Sequence, residues 1–297
     1  MPQHLSPKKV ARAIGVSESS LKRWCDRGLV EFSKTAGGHR RIQIASVVEF
    51  LRDSKHRLVE PAVIGLPEGT GTEEGISLDE SQRQFLKALM EPNPELGRRL
   101  VVELHLAGHP ISRICDSVIK PTFHQLGERW ECQEIEVFQE RVACEIATKL
   151  LFELGDMIPA VESLSANVAI GAAPEQDGYT LPTKMVELVF RQLGWQALSL
   201  GSLLPFPTLL KAVEQYRPRL FWLSVSRIEN ETDFLNALDS FQRNLDPSIA
   251  LVVGGRALTD SVRQRMRFAA YCDNLQQLES FAQSIAERRP AAIQVPF

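Results

Sequence analysis

The spacing of apolar residues changes along the chain, and each change predicts a different kind of structure. Over residues 1–57 and again over 79–157, apolar side chains recur at three- and four-residue steps, which is typical of amphipathic helices. From Asn167 onward, short continuous apolar runs alternate with helical patterns, which predicts a parallel sheet with helices on both faces. We therefore predict a multi-domain α and α/β protein with domains over 1–57, 79–157 and 166–289, and a linker over 58–78.

The first segment carries the start and stop signals of two short helices. Ser6, followed by Pro7, and Ser17 are suited to cap helix N-termini, and Gly15 and Gly28 are suited to end the two helices. Two helices joined by so short a turn form a helix-turn-helix. The side chains expected to face its core are Val10, Ala11, Ile14, Leu21, Trp24 and Cys25.

A β-hairpin is predicted next, because two β-prone runs flank a glycine-containing tip. The predicted strands are Leu29–Phe32 and His39–Ile44, and the tip is Thr35–Gly38. Such a hairpin places basic residues beside the second helix, which can enter a major groove while the hairpin contacts phosphates. The candidate DNA-binding residues are Ser19, Ser20, Lys22, Arg23, His39, Arg40 and Arg41.

The charge of the chain is concentrated in this head. Residues 1–57 hold 12 lysines and arginines against 5 acidic residues, whereas the whole chain has a formal net charge of −3. A basic head on an acidic body favours contact of the head alone with a polyanion. Residues 5–53, which include a Gly-Gly-His-Arg-Arg hairpin, resemble the winged helix-turn-helix of MerR-type regulators. That resemblance implies a double-stranded DNA operator bound by a homo-oligomer, a dimer or a tetramer.

Residues 79–157 predict a four-helix bundle with short connections. Its helices are expected near 79–90, 95–107, 111–130 and 136–154, with a kink at Pro121. On residue type alone, Trp130 is predicted to be a core residue, and Glu140 and Arg141 an exposed pair. The predicted apolar face of the fourth helix consists of Val137, Phe138, Val142, Ile146 and Leu150.

The C-terminal pattern predicts ligand loops but no catalytic centre. Strands are expected over 167–172, 196–200, 219–226, 249–255 and 269–272. Ligands in such sheets bind at the loops after the strands, here 174–180, 201–204, 224–227 and 254–257. The chain has no Gly-x-Gly-x-x-Gly, Walker lysine or Gly-x-Ser-x-Gly, and its histidines and cysteines lack metal-site spacing. We therefore predict neither an enzyme nor a metal site.

The localisation expected from the sequence is cytoplasmic. The five scattered cysteines form no C-x-x-C pair and are typical of reduced core residues. No apolar run reaches the length of a membrane span, and the N-terminus lacks the apolar segment of a signal peptide.

The bundle and the sheet together resemble the cobalamin-binding module of CarH-type light- and cobalamin-responsive regulators. The motifs that carry the resemblance are, in order, W-x9-E, P-E, L-S-x-S and V-G-G. Because a MerR-type head precedes the module in that family, the resemblance extends from Leu5 to about Arg288. It implies a four-helix bundle followed by a flavodoxin-like (Rossmann-type) sheet. It also implies that Trp130 lies over the corrin and that Glu140 is the acid of a Glu-His pair. The positions matching the family near the nucleotide tail are Ser224, Gly254 and Gly255.

This sequence departs from the family at the residues that hold cobalt. The family's loop reads E-x-H-x-x-G, and the same frame here has Glu175, Asp177 and Thr180. Asp177 stands where the cobalt-ligating histidine is expected, and Thr180 where a glycine leaves room for the tail. Arg141 replaces the histidine of the Glu-His pair, and no histidine follows His124. A carboxylate is a hard, weak substitute for imidazole on a transition metal.

We interpret the chain as a DNA-binding transcriptional regulator with a cobalamin-binding-type sensor or oligomerisation module whose cobalt ligation is altered or lost. The module could bind cobalamin through other contacts, bind a different small ligand, or only hold the assembly together. Two other classes stay open at this point: a corrinoid methyl-carrier protein and a protein-interaction switch.

Overall fold

The computed structural model describes residues 4–54, 56–71, 77–161 and 167–287. The chain divides into two compact units, residues 1–159 and 160–297. The first contains the predicted head and bundle, and the second contains the sheet. Residues 72–76 of the predicted linker, and the outermost residues of the predicted domains 1–57 and 166–289, lie outside the described residues.

The helix-turn-helix is formed by α1 (Pro7–Ile14) and α2 (Glu18–Asp26). Both predicted N-caps are present, because Ser6 Oγ accepts from the amide of Lys9 and Ser17 Oγ from the amide of Ser20. Gly15 ends α1 in the left-handed conformation, with φ 75°. The expected core positions are buried, except that Trp24 is half-buried.

The hairpin exists, and its second strand lies within the predicted His39–Ile44, but its first strand is displaced from the predicted one. Strands β2 (Ser33–Lys34) and β3 (Arg40–Gln43) pair antiparallel, and β1 (His4–Leu5) adds to the other side of β3. The prediction of a strand over Leu29–Phe32 was wrong, because Val30 packs into the core of the head before strand pairing begins. The second strand is followed at once by α3 (Ile44–Ser54), a helix that the sequence analysis did not assign.

Residues 58–71 are folded against the head, in contrast to the predicted linker. The amide of Val59 donates to the carbonyl of Ala13 (2.7 Å), and Pro61–Ile64 form a 3-10 turn. The side chains of Leu58, Ile64 and Leu66 are buried in the core of the head. Proline and glycine shape tight turns here, and the apolar residues between them supply the packing.

The bundle follows the predicted order of helices. Its third member is interrupted by a π-helical turn, Cys115–Ile119, immediately before Pro121, which is where the kink was predicted. The helices are α4 (Leu78–Met90), α5 (Pro94–Leu106), α6 (Ile111–Ile114), α7 (Lys120–Glu131) and α8 (Val137–Asp156). None of the helices in the described part of the chain is both long and apolar enough to span a membrane.

Helix α8 buries a different face from the predicted one. Phe138 is 65% exposed and Val137 is 50% exposed, and Ile146 is only half-buried. Leu150 is the one member of the predicted face that is buried, and the other buried positions of the helix are Ala143, Ala147, Leu151, Leu154 and Gly155. Small alanines allow close approach of the neighbouring helices, so they occupy the interface although they are less apolar than the residues predicted to do so.

A buried polar contact joins the head to the bundle. Arg52 of α3 donates through Nη1 to Nδ1 of His105 (2.8 Å) and to the carbonyl oxygens of His105 and His109. Since a guanidinium only donates, His105 Nδ1 accepts and the ring proton lies on Nε2. Burial, followed by the charge of Arg52, lowers the pKa of His105 to about 3. The head and bundle therefore share one packed unit.

The second unit is a five-stranded parallel sheet with the order β5-β4-β6-β7-β8. This is the flavodoxin-like order 2-1-3-4-5, as the resemblance implies. The strands are β4 (Val168–Ala172), β5 (Gln196–Ser199), β6 (Leu220–Ser224), β7 (Ala250–Gly254) and β8 (Ala270–Tyr271). The helices are α9 (Leu181–Gln192), α10 (Phe206–Tyr216), α11 (Glu231–Asn244), α12 (Asp260–Arg263) and α13 (Leu275–Glu287).

Candidate DNA-binding surface and ligand site

The outer face of α2 presents a polar, basic surface. Ser19, Lys22 and Arg23 are exposed and Ser20 is half-buried, while Leu21 on the opposite side is fully buried. Arg23 Nη2 donates to Ser20 Oγ (3.3 Å), and Lys22 pairs with Glu18 (2.7 Å). The helix is held at its start by the Ser17 cap. It therefore offers donors at a well-fixed surface, as a recognition helix requires.

Arg40 fixes the hairpin to the end of this helix. Its Nη1 donates to the carbonyl of Lys22 (3.0 Å) and its Nη2 lies 2.6 Å from Asp26 Oδ1. Its guanidinium also lies over the ring of Phe32, 4.9 Å from the centroid. Because the guanidinium of Arg40 donates to Lys22 and Asp26, it positions the hairpin against the end of α2. Sequence reasoning proposed it only as a phosphate contact and missed the part of Asp26.

His39 and Arg41 flank Arg40 on the same hairpin. His39 is exposed and Arg41 is half-exposed, and Arg41 forms no ion pair within the described residues. Of the predicted hairpin residues, these two have side chains that remain available to a phosphate.

The predicted ligand residues of the bundle lie near one end of α7 and α8. Trp130 is 47% exposed, so the prediction of a core tryptophan was wrong. Glu140 accepts a hydrogen bond from Cys144 Sγ (3.3 Å) and lies 3.6 Å from Arg141 Nε. The side chain of Glu140 is largely covered, whereas Arg141 is exposed, so only one member of the predicted exposed pair is exposed. Burial, followed by the charge and hydrogen bond of Glu140, raises the pKa of Cys144 to about 12.

In the second unit, Asp177 is fully buried and its carboxylate is surrounded by backbone donors. Oδ2 accepts from the amides of Ser226 (2.5 Å) and Arg227 (3.3 Å), and Oδ1 accepts from the amide of Tyr179 (3.0 Å). We call these three hydrogen bonds the Asp177 bridge. Burial raises the pKa of Asp177, and the three amides and the charge of Arg256 act in the opposite direction.

The remaining sequence-predicted residues of this unit lie around the same edge. Glu175 and Thr180 are exposed and Ser224 is buried at the end of β6. A Cβ at Gly255, where φ is 124°, would lie 2.1 Å from the carbonyl oxygen of Val225. A Cβ at Gly254 would lie 2.9 Å from the carbonyl oxygen of Cys272. The two glycines are therefore required by close approaches of the chain to itself.

The residues of the second unit do not fit a cobalamin held through a lower protein ligand. Both oxygens of Asp177 are used by the chain's own amides, and the sequence offers no histidine after His124. Within the described residues, no group of three or more His, Cys, Asp or Glu side chains is arranged to hold a metal ion.

The residues that complete this edge lie in the predicted ligand loops 174–180, 224–227 and 254–257, but sequence reasoning assigned no role to Arg256 or Ser226. Arg256 lies over the Tyr179 ring, 5.5 Å from its centroid, and donates through Nε to the carbonyl of Ser226 (3.3 Å). The sequence signal for Tyr179, Ser226 and Arg256 was that each lies at or after the end of a predicted strand, β4, β6 and β7 respectively, because the loops after parallel strands meet at one edge of the sheet.

Comparisons with known proteins agree with this architecture. Residues 5–55 match the family described as "Helix-turn-helix domain", and residues 81–155 match the "B12 binding domain" family. The chain is 25% identical over 263 residues to the HTH-type transcriptional repressor CarH of Myxococcus xanthus, covering 83% of this chain and 87% of that protein. In fold it is similar to the monomethylamine corrinoid protein of Methanosarcina barkeri, with a TM-score of 0.58, 17% identity, and coverage of 70% of this chain and 100% of that chain. These findings support a CarH-like regulator in which a helix-turn-helix DNA-binding domain precedes a B12-binding module.

Proposed function

We propose that the protein is a cytoplasmic transcriptional regulator that binds a double-stranded operator as a homo-oligomer. The observation that carries the proposal is the exposed basic face of α2, with the hairpin fixed beside it by the contact of Arg40 with Asp26. Lys22, Arg23 and Ser19 are the proposed base or groove contacts, with Ser20 behind them. His39 and Arg41 contact phosphates.

The C-terminal module holds the assembly together in this proposal, and DNA binding does not depend on cobalt. The ligand-contacting residues that the resemblance implies in the bundle are Trp130, Glu140 and Arg141. Those in the sheet unit are Glu175, Asp177, Thr180, Ser224, Gly254 and Gly255. Because the sheet unit does not fit cobalt ligation, we assign no chemical step to the module. The corrinoid methyl-carrier alternative rests on likeness of fold alone.

The test is a selection of binding sites from a random duplex pool with the full-length protein. We expect one enriched motif with two related half-sites, as a symmetric dimer or tetramer requires. The double variant Lys22→Ala with Arg23→Ala is expected to lose the motif. The control Arg243→Ala, which removes an exposed arginine from the sheet unit, is expected to retain it. Absence of any enriched motif with the wild-type chain would contradict the proposal.

A further inference from the structure

The order of the strands places Asp177 at the topological switch point of the sheet. The chain passes from β4 to β5 on one side and then returns to β6 on the other. The carboxyl ends of β4 and β6 therefore border the crevice in which sheets of this order bind their ligands. Asp177 follows β4, and its partners Ser226 and Arg227 follow β6. The Asp177 bridge spans that crevice.

The contacts made by Asp177 are those that an anionic ligand would make. Successive backbone N–H groups at the end of a strand are an anion-binding arrangement. Here the amides of Ser226 and Arg227 both point at Oδ2 of Asp177, and the side chain has no exposed surface. A group entering the crevice would have to displace this carboxylate from its three donors.

Hydrogen bonds from neighbouring loops also hold the Asp177 loop across the crevice. The carbonyl oxygen of Asp177 accepts from the amide of Leu203 (3.1 Å), and the amide of Glu175 donates to the carbonyl of Leu204 (2.9 Å). Both partners belong to the loop after β5. Arg256, from the loop after β7, covers Tyr179. Loops from four strands thus meet around a residue of the chain itself.

We propose that Asp177 is an internal ligand that occupies the switch-point crevice and orders its loops without any cofactor. The inference deepens the proposed function, because it names the regulatory consequence: the module is kept in its folded arrangement by the chain and does not require a corrinoid. The carboxylate supplies the negative group that the amides of Ser226 and Arg227 need. No imidazole is required at this position.

The experiment measures amide hydrogen exchange in the full-length protein from cells grown without corrinoid. We expect the amides of Ser226 and Arg227 to exchange slowly. Asp177→Ala should speed their exchange by at least about tenfold, because hydrogen bonds to a charged group are stronger than those between neutral groups. Asp177→Asn, which retains one acceptor oxygen and the size of the side chain, should have a smaller effect in the same direction. If the Asp177→Ala variant does not fold, the comparison of exchange rates is made with Asp177→Asn instead.

A matched control lies elsewhere in the sheet unit. Glu214 of α10 is exposed, so Glu214→Gln removes one negative charge at a distance from the residues of the Asp177 bridge. Its exchange pattern should equal that of the wild type. If Ser226 and Arg227 exchange in the wild type as fast as exposed loop amides, or if Asp177→Ala leaves them slow, the inference is overturned.

A titration with hydroxocobalamin completes the test. The wild type should show no spectral change and no co-elution of the corrinoid on a sizing column, and stoichiometric binding would overturn the inference. DNA binding is measured on the same samples. Slow exchange at Ser226 and Arg227 without any DNA binding would refute the proposed function and leave the internal ligand in place, so the two failures are distinguishable.

Discussion

The guanidinium of Arg40 on the hairpin lies 2.6 Å from the carboxylate of Asp26 at the end of α2. The next residue, Arg41, forms no ion pair within the described part of the chain. Of two adjacent arginines of one hairpin, Arg40 is therefore held in an ion pair with Asp26 and Arg41 is not, and this difference separates their expected parts in DNA binding.

Arg41→Ala should weaken binding to all DNA sequences alike, and the slope of log affinity against log salt should fall by about one unit for the lost phosphate contact. Arg40→Ala should instead destabilise the head by about 1 kcal/mol through the lost contact with Asp26. Asp26→Asn is the matched variant and should reproduce that loss of stability with an unchanged salt slope. Urea unfolding and anisotropy titrations at several salt concentrations measure both effects. An unchanged slope in Arg41→Ala would refute the phosphate contact.

The buried contact of Arg52 with His105, between the head and the bundle, predicts a dependence of stability on pH. Burial holds the pKa of His105 near 3, well below its unfolded value of about 6.5. A lowered histidine pKa means that the unfolded chain binds the proton more readily. The free energy of unfolding should therefore fall as pH drops from about 6.5 toward 3. His105→Asn, which keeps an acceptor near Arg52, should flatten this fall, and the exposed His124→Asn should not. Equal slopes in the wild type and His105→Asn would contradict the assignment.

Asp177 predicts a pH dependence of the opposite sign. Its pKa is raised by burial, so the folded protein binds this proton more readily than the unfolded chain does. The contribution of Asp177 to the free energy of unfolding should therefore decrease as pH rises from about 4 through its folded pKa. Measured by urea unfolding between pH 4 and 7, the wild type should lose stability relative to Asp177→Asn as pH rises. A constant difference between the two proteins would show that Asp177 does not titrate in this range.

The sequence predicted the α2 face and a parallel sheet because both depend on local rules, whereas the order of the strands was implied only by the family resemblance. Caps, short turns and continuous apolar strands are decided by neighbouring residues, and Ser17 and the alternation after Asn167 were sufficient. The face of α8 was not predictable in the same way, because the helix carries apolar residues on two sides. Which side is buried depends on the packing of the other helices, and the side that is buried carries the small residues Ala143 and Ala147.

The candidate site was located by sequence but its chemistry was not. The family's loop motif pointed to Asp177. The orientation of its carboxylate depends on the amides of Ser226 and Arg227, which are 49 and 50 residues away in the sequence. The prediction of a linker over residues 58–71 was wrong for a related reason. Their prolines and glycines are typical of linkers, and only the tertiary fold shows that Ile64 and Leu66 pack into the head.

The face of α8 is tested by two truncations of similar size. Phe138 is exposed, so Phe138→Ala should change the free energy of unfolding by no more than about 0.5 kcal/mol. Leu151 is fully buried, and Leu151→Ala should destabilise the first unit by about 2–5 kcal/mol. Urea denaturation of both variants is sufficient. The reverse order of the two losses would support the face that the sequence pattern predicted.

We infer that this chain is a DNA-binding regulator whose binding to its operator does not require cobalt. Fluorescence anisotropy measures it most directly, with full-length protein from corrinoid-free cells and two labelled duplexes, the selected site and a scrambled site of the same composition. We expect the selected site to bind at least about a thousandfold more tightly than the scrambled site, with or without hydroxocobalamin. Equal affinity for the two duplexes, or a preference that arises only after the corrinoid is added, would contradict it.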